Sequence, residues 1–184
     1  MNFAHDTDFA LKMVTTLVNT DRNGVDHLTD ATALTAFLDE FDFTGVREGT
    51  SAELEAVRAL RPRLRGVWEA GTDVIAVDIV NELMREANAQ PRLTRHGDWD
   101  WHLHLTADAA PLVHRIGAEA AVGFVDLIRS GALDRLKICA APDCGAVLID
   151  LSRNRSRRFC DTGNCGNRLN VAAYRARKAE SAHA

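Results

Sequence analysis

The chain has 184 residues, of which 46% are hydrophobic, and a formal net charge of −4. This length fits one ordinary domain or a larger domain with a small appended module, and the composition excludes a fibrous or wholly disordered chain. The first residues lack the features of a secretory signal, and no apolar run approaches the roughly 18 residues of a membrane span, so we expect a cytoplasmic protein.

Apolar residues recur at three- and four-residue spacing through most of the first 90 positions, which predicts helices. The first two are predicted at 8–19 and 29–43. A third begins at the capping-box pair Thr50 and Glu53, and Pro62 predicts a kink or a restart inside it. A fourth is predicted from Asp73 to about residue 87.

The apolar period changes from 3.6 to 2 at 99–105, which predicts a half-buried strand. Residues 92–96 are expected to pair with it across the Gly97-Asp98 turn, with the tryptophans on the core face and the histidines exposed. A last long helix is predicted at 110–130, with Gly131 as its cap. The predicted fold is mainly α with a β-hairpin (α+β), divided near Leu133 into a helical domain (1–133) and a small C-terminal finger (134–184).

All four cysteines lie in the C-terminal part. Cys139 and Cys144 enclose four residues, Cys160 and Cys165 enclose four more, and fifteen separate the pairs. Two such pairs can place four thiolates around one structural zinc ion, with no coordination position left for water. Disulfides are disfavoured in a reducing compartment, and disulfides, free thiols and an iron–sulfur cluster stay open as alternatives to zinc.

The segments around these cysteines predict a small metal-stabilised fold. A knuckle at 139–145 is followed by a β-prone run at 146–151, a polar turn, and a returning strand at 157–159. Good helix formers follow at 169–178. The order of knuckle, hairpin and helix suggests a treble-clef-like or zinc-ribbon finger.

Charge is distributed unevenly along the chain. The segment 153–178 carries eight basic residues against Asp161, a net +7, whereas the remainder is −11. This asymmetry favours an anionic partner, with DNA more expected than RNA, although a solvated charged face is the alternative. The candidate phosphate-contacting residues are Arg153, Arg155, Arg157, Arg158, Arg168, Arg175, Arg177 and Lys178.

Three stretches of this segment resemble the CGNR zinc finger: Cys-Ala-Ala-Pro-Asp-Cys-Gly (139–145), Ser-Arg-Asn-Arg-Ser-Arg-Arg-Phe-Cys (152–160) and Cys-Gly-Asn-Arg (165–168). In that family the finger follows a helical domain called ABATE, and Leu-Val-Asn-Thr (17–20) and Trp-Asp-Trp-His-Leu-His-Leu (99–105) are similar to its landmarks. The resemblance implies zinc on the four cysteines, nucleic-acid contact by the surrounding arginines, and a role as a stress-induced transcription regulator. Asp161 departs from the family pattern and is expected to weaken local anion affinity.

Other candidate sites have simpler explanations. His102 and His104 have a spacing that suits metal chelation, but exposed strand residues are the commoner outcome. Trp68, Trp99 and Trp101 could line a small-molecule pocket, together with polar groups at 19–22, but core packing and helix termination are the default explanations. No nucleophilic triad or glycine-rich phosphate loop is present, so no enzyme is predicted.

The leading hypothesis is a zinc-dependent, nucleic-acid-binding regulator whose N-terminal domain senses a small ligand or forms a homodimer. Two alternatives stay open. One is a thiol redox switch that loses zinc on oxidation, and the other is a protein-interaction module that presents the basic finger to an acidic partner.

Overall fold

The computed structural model describes residues 5–95 and 100–182. Within these ranges the chain is an α+β protein with six helices and three two-stranded antiparallel sheets. The helices are α1 (His5–Asn19), α2 (Ala31–Glu40), α3 (Ser51–Glu69), α4 (Asp73–Glu86), α5 (Leu112–Arg129) and α6 (Cys165–Ala182). The strands are β1 (Asp21–Arg22), β2 (Val25–Asp26), β3 (Arg92–Thr94), β4 (His102–His104), β5 (Leu136–Ile138) and β6 (Val147–Ile149).

Helix α5 lies at the centre of the structure and packs against α1, α3 and α4. Its side chains Ile116, Phe124 and Leu127 are completely buried. We call α1 to α5, with the β1–β2 and β3–β4 hairpins, the helical body, and residues 136–182 the cysteine module. No helix in the two described ranges combines the length and apolarity needed to cross a membrane.

The predicted helices are confirmed, with shifted ends. Helix α2 is shorter than predicted because Asp30, rather than Thr29, caps its start by accepting a 2.8 Å hydrogen bond from the Ala33 N–H. Helix α3 continues through Pro62 without a restart. Pro62 cannot donate to the Arg58 carbonyl, and the Arg61 Nε donates to that oxygen instead, at 3.3 Å.

Two turns use the left-handed backbone conformation. Asn23 and Gly24, with φ of 54° and 75°, connect β1 to β2, an Asn-Gly hairpin where the sequence analysis predicted only a helix end. Gly131, with φ of 58°, ends α5 as predicted, and the Ala132 N–H donates to the Leu127 carbonyl at 2.8 Å.

The β3–β4 pairing is confirmed, with Leu93 opposite Leu103. The predicted Gly97-Asp98 turn and Trp99 lie outside the described residues. The face assignment was wrong for Trp101, which is 64% exposed, and for His102 and His104, which are half-buried and line a cavity. Leu105, which alternates with the histidines on the predicted core face, is buried as predicted.

The predicted strand partner of residues 146–151 in the cysteine module was also wrong. Strand β6 pairs with β5, with Lys137 opposite Leu148, and residues 157–159 form no strand. The first cysteine pair therefore lies in the connection between β5 and β6. Residues 157–159 contact this connection instead, through a 2.9 Å hydrogen bond from the Ala140 N–H to the Arg158 carbonyl.

Candidate metal centre and basic surface

The four cysteine sulfurs form one compact cluster. All four Sγ atoms lie within 4.8 Å of one another, and Cys160 Sγ is 3.7 Å from both Cys144 Sγ and Cys165 Sγ. A disulfide needs about 2.05 Å, so these cysteines are free thiols. A tetrahedron with zinc–sulfur bonds of about 2.3 Å has edges of about 3.8 Å, which fits the observed separations.

Backbone turns position each cysteine pair. The first pair closes through hydrogen bonds from the Cys139 N–H to the Ala146 carbonyl, at 2.8 Å, and from the Cys144 N–H to the Ala141 carbonyl, at 3.1 Å. Cys165 is the first residue of α6. The first cysteine pair thus lies on a hairpin, and the last cysteine begins a helix. Of the two predicted arrangements, this is the treble-clef-like one and not the zinc ribbon.

Gly163 makes the second turn sterically feasible. A Cβ atom at this position would lie 2.9 Å from Cys165 Sγ and 3.6 Å from Cys160 Sγ. The lack of a side chain therefore lets the backbone pass directly beneath the two sulfurs.

The surroundings of the sulfurs favour a bound cation. Burial raises the pKa of Cys160 to about 12, because a desolvated thiolate without a countercharge is unfavourable. A divalent metal ion supplies that countercharge. The Cys160 N–H lies 3.4 Å from Cys139 Sγ, and an Arg168 guanidinium nitrogen lies 3.4 Å from Cys165 Sγ. Both donors offset part of the negative charge that four thiolates bring.

The arginine-rich segment 152–158, which we call the basic loop, is held from inside by Asp150. This carboxylate is fully buried and accepts hydrogen bonds from Lys137 Nζ at 2.6 Å and from the backbone N–H groups of Ser152 and Arg157 at 3.0 and 2.8 Å. Although burial opposes ionisation, these hydrogen bonds, that of Lys137 first, hold the pKa of Asp150 at about 2. The buried anion fixes the loop, and its arginines point outward.

Three of the eight predicted phosphate-contacting cations are paired with carboxylates. Arg155 contacts Asp134 at 2.6 Å, Arg157 pairs with Asp161, and Arg168 pairs with Asp143. Asp134 and Asp143 lie outside the basic segment of the sequence, so the charge count along the chain missed both partners.

The other five cations are exposed, and no ion pair within the described ranges includes them. These are Arg153, Arg158, Arg175, Arg177 and Lys178. Arg158 lies over the Phe159 ring at 5.8 Å from its centroid. Arg175 and Lys178 share a face of α6 with Arg168, whereas Arg177 lies on the opposite side of the helix. Every residue from 170 to 181 is exposed, so α6 projects beyond the small core of the module.

The cysteine module docks on the helical body through buried polar contacts that sequence reasoning missed. Asn19, only 3% exposed, forms two 2.8 Å hydrogen bonds with Val147, donating to its carbonyl and accepting from its N–H. Trp68 Nε1 donates to the Leu148 carbonyl at 3.0 Å. The Trp68 ring packs edge-on against Phe124, with centroids 5.3 Å apart, so it belongs to the core of the helical body.

Apolar contacts continue across the same junction. Val147 and Ile149 are buried in the core of the helical body, whereas Leu148 faces the cysteine cluster between them. A strand that alternates in this way connects two cores. The apolar run at 146–151 signalled a buried strand, but nothing in the sequence identified Asn19 as its partner 128 positions away.

Comparison with known protein families agrees with this architecture. Residues 10–131 match the family ABATE, described as "Putative stress-induced transcription regulator", and residues 135–178 match the CGNR zinc finger. No curated protein matches the chain. The helical body, the four-cysteine cluster and these two matches together show that the chain belongs to the ABATE family and carries a CGNR-type zinc finger at its C-terminal end.

Proposed function

We propose that the chain is a cytoplasmic transcription regulator that binds nucleic acid, DNA in preference to RNA, through a zinc-stabilised cysteine module. The observation that carries the proposal is a group of five exposed cations that pair with no carboxylate among the described residues, on an otherwise acidic protein. Like charges concentrated in this way repel one another unless an anionic partner neutralises them. The family match to a transcription regulator makes nucleic acid the favoured anion.

Zinc is the metal proposed for the four cysteines. The sulfur separations fit its tetrahedral shell, and four thiolates leave no position for a substrate or water. The metal's role is therefore structural, and no catalysis is proposed. Because the module buries few large apolar side chains, we expect it to require the metal to fold.

Both the basic loop and α6 contribute phosphate-binding residues. Arg153 and Arg158 extend from the loop that Asp150 holds, and Arg175 and Lys178 extend from α6, which spans about 27 Å. Arg155, Arg157 and Arg168 are already paired, so we assign them mainly to positioning the loop and the metal site. Direct phosphate contact falls to the unpaired cations.

A salt titration tests this assignment. Duplex DNA binding is measured by fluorescence anisotropy for the zinc-loaded wild type and for Arg153→Ala/Arg158→Ala. Affinity falls as salt rises, and each lost phosphate contact should make the slope of log affinity against log salt less steep by about 0.9. For the double variant we therefore expect a slope that is less steep by about 1.8. The control, Arg85→Ala/Arg92→Ala, makes the same charge change on the helical body, where these side chains are 70% and 50% exposed, and should leave the slope unchanged.

Equal affinity for the wild type and the finger double variant, at matched zinc content, would refute the proposal. The same titration with single- and double-stranded RNA decides between DNA and RNA. If neither nucleic acid binds, pull-down of an acidic protein that survives nuclease treatment would favour the interaction-module alternative. The thiol redox switch remains a prediction, tested by zinc release after mild peroxide treatment.

A further inference from the structure

The helical body contains a cleft of about 90 Å³ between the N-terminal end of α1, the segment after α2, strand β4 and the middle of α5. Its lining is unusual for a structural void because it combines aromatic rings with ionisable groups. The sequence analysis placed a candidate pocket around the tryptophans and residues 19–22. The structure places this cleft elsewhere.

Three phenylalanines form the apolar wall of the cleft: Phe9, Phe41 and Phe43. Phe9 and Phe41 meet edge to face, with ring centroids 5.6 Å apart. Phe43 is covered on one side by the Arg115 guanidinium, at 5.5 Å from the ring centroid. Aromatic walls of this kind attract cations through the negative potential of their ring faces.

The ionisable groups in the lining are predominantly acidic. Asp6, Asp42, Asp108 and Glu119 contribute four carboxylates, against the single guanidinium of Arg115. His102 and His104 line the same cleft. An anionic ligand would therefore meet net repulsion, whereas a cationic ligand would meet attraction.

Arg115 is committed to the protein itself. Its Nε donates to the Ala110 carbonyl at 3.0 Å, and its two terminal nitrogens donate to the carbonyls of Thr44 and Val46. The guanidinium thereby closes the loop after α2 and is not directed at Glu119. Among the described residues, no hydrogen bond or ion pair joins Arg115 to Glu119.

Glu119 is the carboxylate without compensation. It projects from the middle of α5, and none of the described residues gives it a hydrogen bond or an ion pair. Burial, reinforced by the nearby Asp6, raises the pKa of Glu119 to about 7. Near neutral pH Glu119 is therefore partly protonated, and a cation that approaches it would favour the ionised form.

We infer that this cleft binds a small organic cation, an aryl or alkyl ammonium compound, with Glu119 as its counter-ion and the phenylalanines around its apolar part. The binding itself is independent of nucleic acid. Its role as a signal rests on the proposed regulatory function. Helix α1 connects the two sites, because Phe9 lines the cleft and Asn19, about 15 Å further along the helix, holds strand β6 of the cysteine module.

The test uses the zinc-loaded full chain and three probes of nearly the same shape: benzylammonium, benzyl alcohol and benzoate. Isothermal titration calorimetry should detect benzylammonium binding, and affinity for the neutral and anionic probes should be about 10-fold lower or worse. Glu119→Gln should reduce the benzylammonium affinity by about 10- to 100-fold. Glu82→Gln, a control carboxylate exposed on α4, should have no effect.

Glu119→Gln is expected to fold, because glutamine has nearly the same shape and removes a charge that lacks a partner. Its helical content and zinc content provide the check. Failure of benzylammonium to bind at tens of millimolar, equal binding of all three probes, or undiminished binding by the folded Glu119→Gln variant would each overturn the inference. The calorimeter contains no nucleic acid, so these outcomes are independent of the outcome for DNA binding.

Discussion

Replacing Asn19 with alanine should weaken the connection between the cysteine module and the helical body. The substitution removes both partners of Val147, whose N–H and carbonyl each lie 2.8 Å from the amide of Asn19. Both backbone groups are buried, since Asn19 is 3% exposed and Val147 is 0% exposed. A buried polar group left without a partner costs about 1–3 kcal/mol, so for the two groups together we expect a loss of about 2–6 kcal/mol.

The loss is measured by urea unfolding of the zinc-loaded protein, followed by circular dichroism and by zinc release into a colorimetric chelator. Zinc release should move to lower urea together with, or ahead of, the loss of helix. The control is Asn154→Ala in the basic loop, where the asparagine is exposed and should contribute within about 0.5 kcal/mol.

A change below about 0.5 kcal/mol for Asn19→Ala would contradict the assignment of these hydrogen bonds as an anchor. Water that enters the space left by the amide could satisfy part of the demand, which sets the lower end of the expected range. A loss of helix without any change in zinc release would show that the two parts are not coupled through Asn19.

Two further predictions concern the metal turn and the ion pair of the β1–β2 hairpin. Gly163→Ala should lower zinc affinity in a competition assay, because its Cβ would lie 2.9 Å from Cys165 Sγ, whereas Gly71→Ala, which meets nothing within 4 Å, should bind zinc normally. Asp26→Asn should destabilise the protein by about 1 kcal/mol near neutral pH, because two 2.7 Å hydrogen bonds to Arg61 outweigh burial and lower the pKa of Asp26 to about 2. The free-energy difference from wild type should persist above pH 4 and disappear as the pH falls toward 2.

Each of these predictions has a clear failure. Zinc affinity of Gly163→Ala equal to that of the wild type would show that the turn can move away from the sulfurs. For Asp26→Asn, both proteins protonate their cysteines alike in acid, so the difference between their unfolding curves isolates Asp26. A difference that stayed constant from pH 7 to pH 2 would exclude ionisation of this carboxylate as the cause.

Local patterns predicted most of the helical body. The capping pair illustrates why: the Glu53 N–H donates to Thr50 Oγ1 at 3.1 Å, an interaction within three residues that the sequence encodes directly. The two cysteine pairs were equally readable, because chelation depends on short spacings. The pairing of β3 with β4 was predictable for the same reason, since one short connection joins them.

Features that depend on distant residues were not predictable in this way. Strand β6 was assigned a partner at 157–159, but it pairs with β5, and Asn19 and Trp68 from the helical body hydrogen-bond to its backbone. The exposure of Trp101 and the half-burial of His102 and His104 were not predictable, because residue hydrophobicity alone does not show which side of β4 a cleft will occupy. The tally of cations likewise omitted carboxylates such as Asp134, which the fold brings to Arg155.

The placement of β6 has a consequence for the order in which the chain is completed during synthesis. Val147 and Ile149 belong to the core of the helical body, yet they follow the first cysteine pair in the sequence. Although domains generally fold from the N-terminus as they emerge from the ribosome, this body lacks part of its core until the hairpin has been made. The helical body can therefore complete its core only after residue 149 has been made, so the start of the cysteine module is needed for the folding of the N-terminal domain.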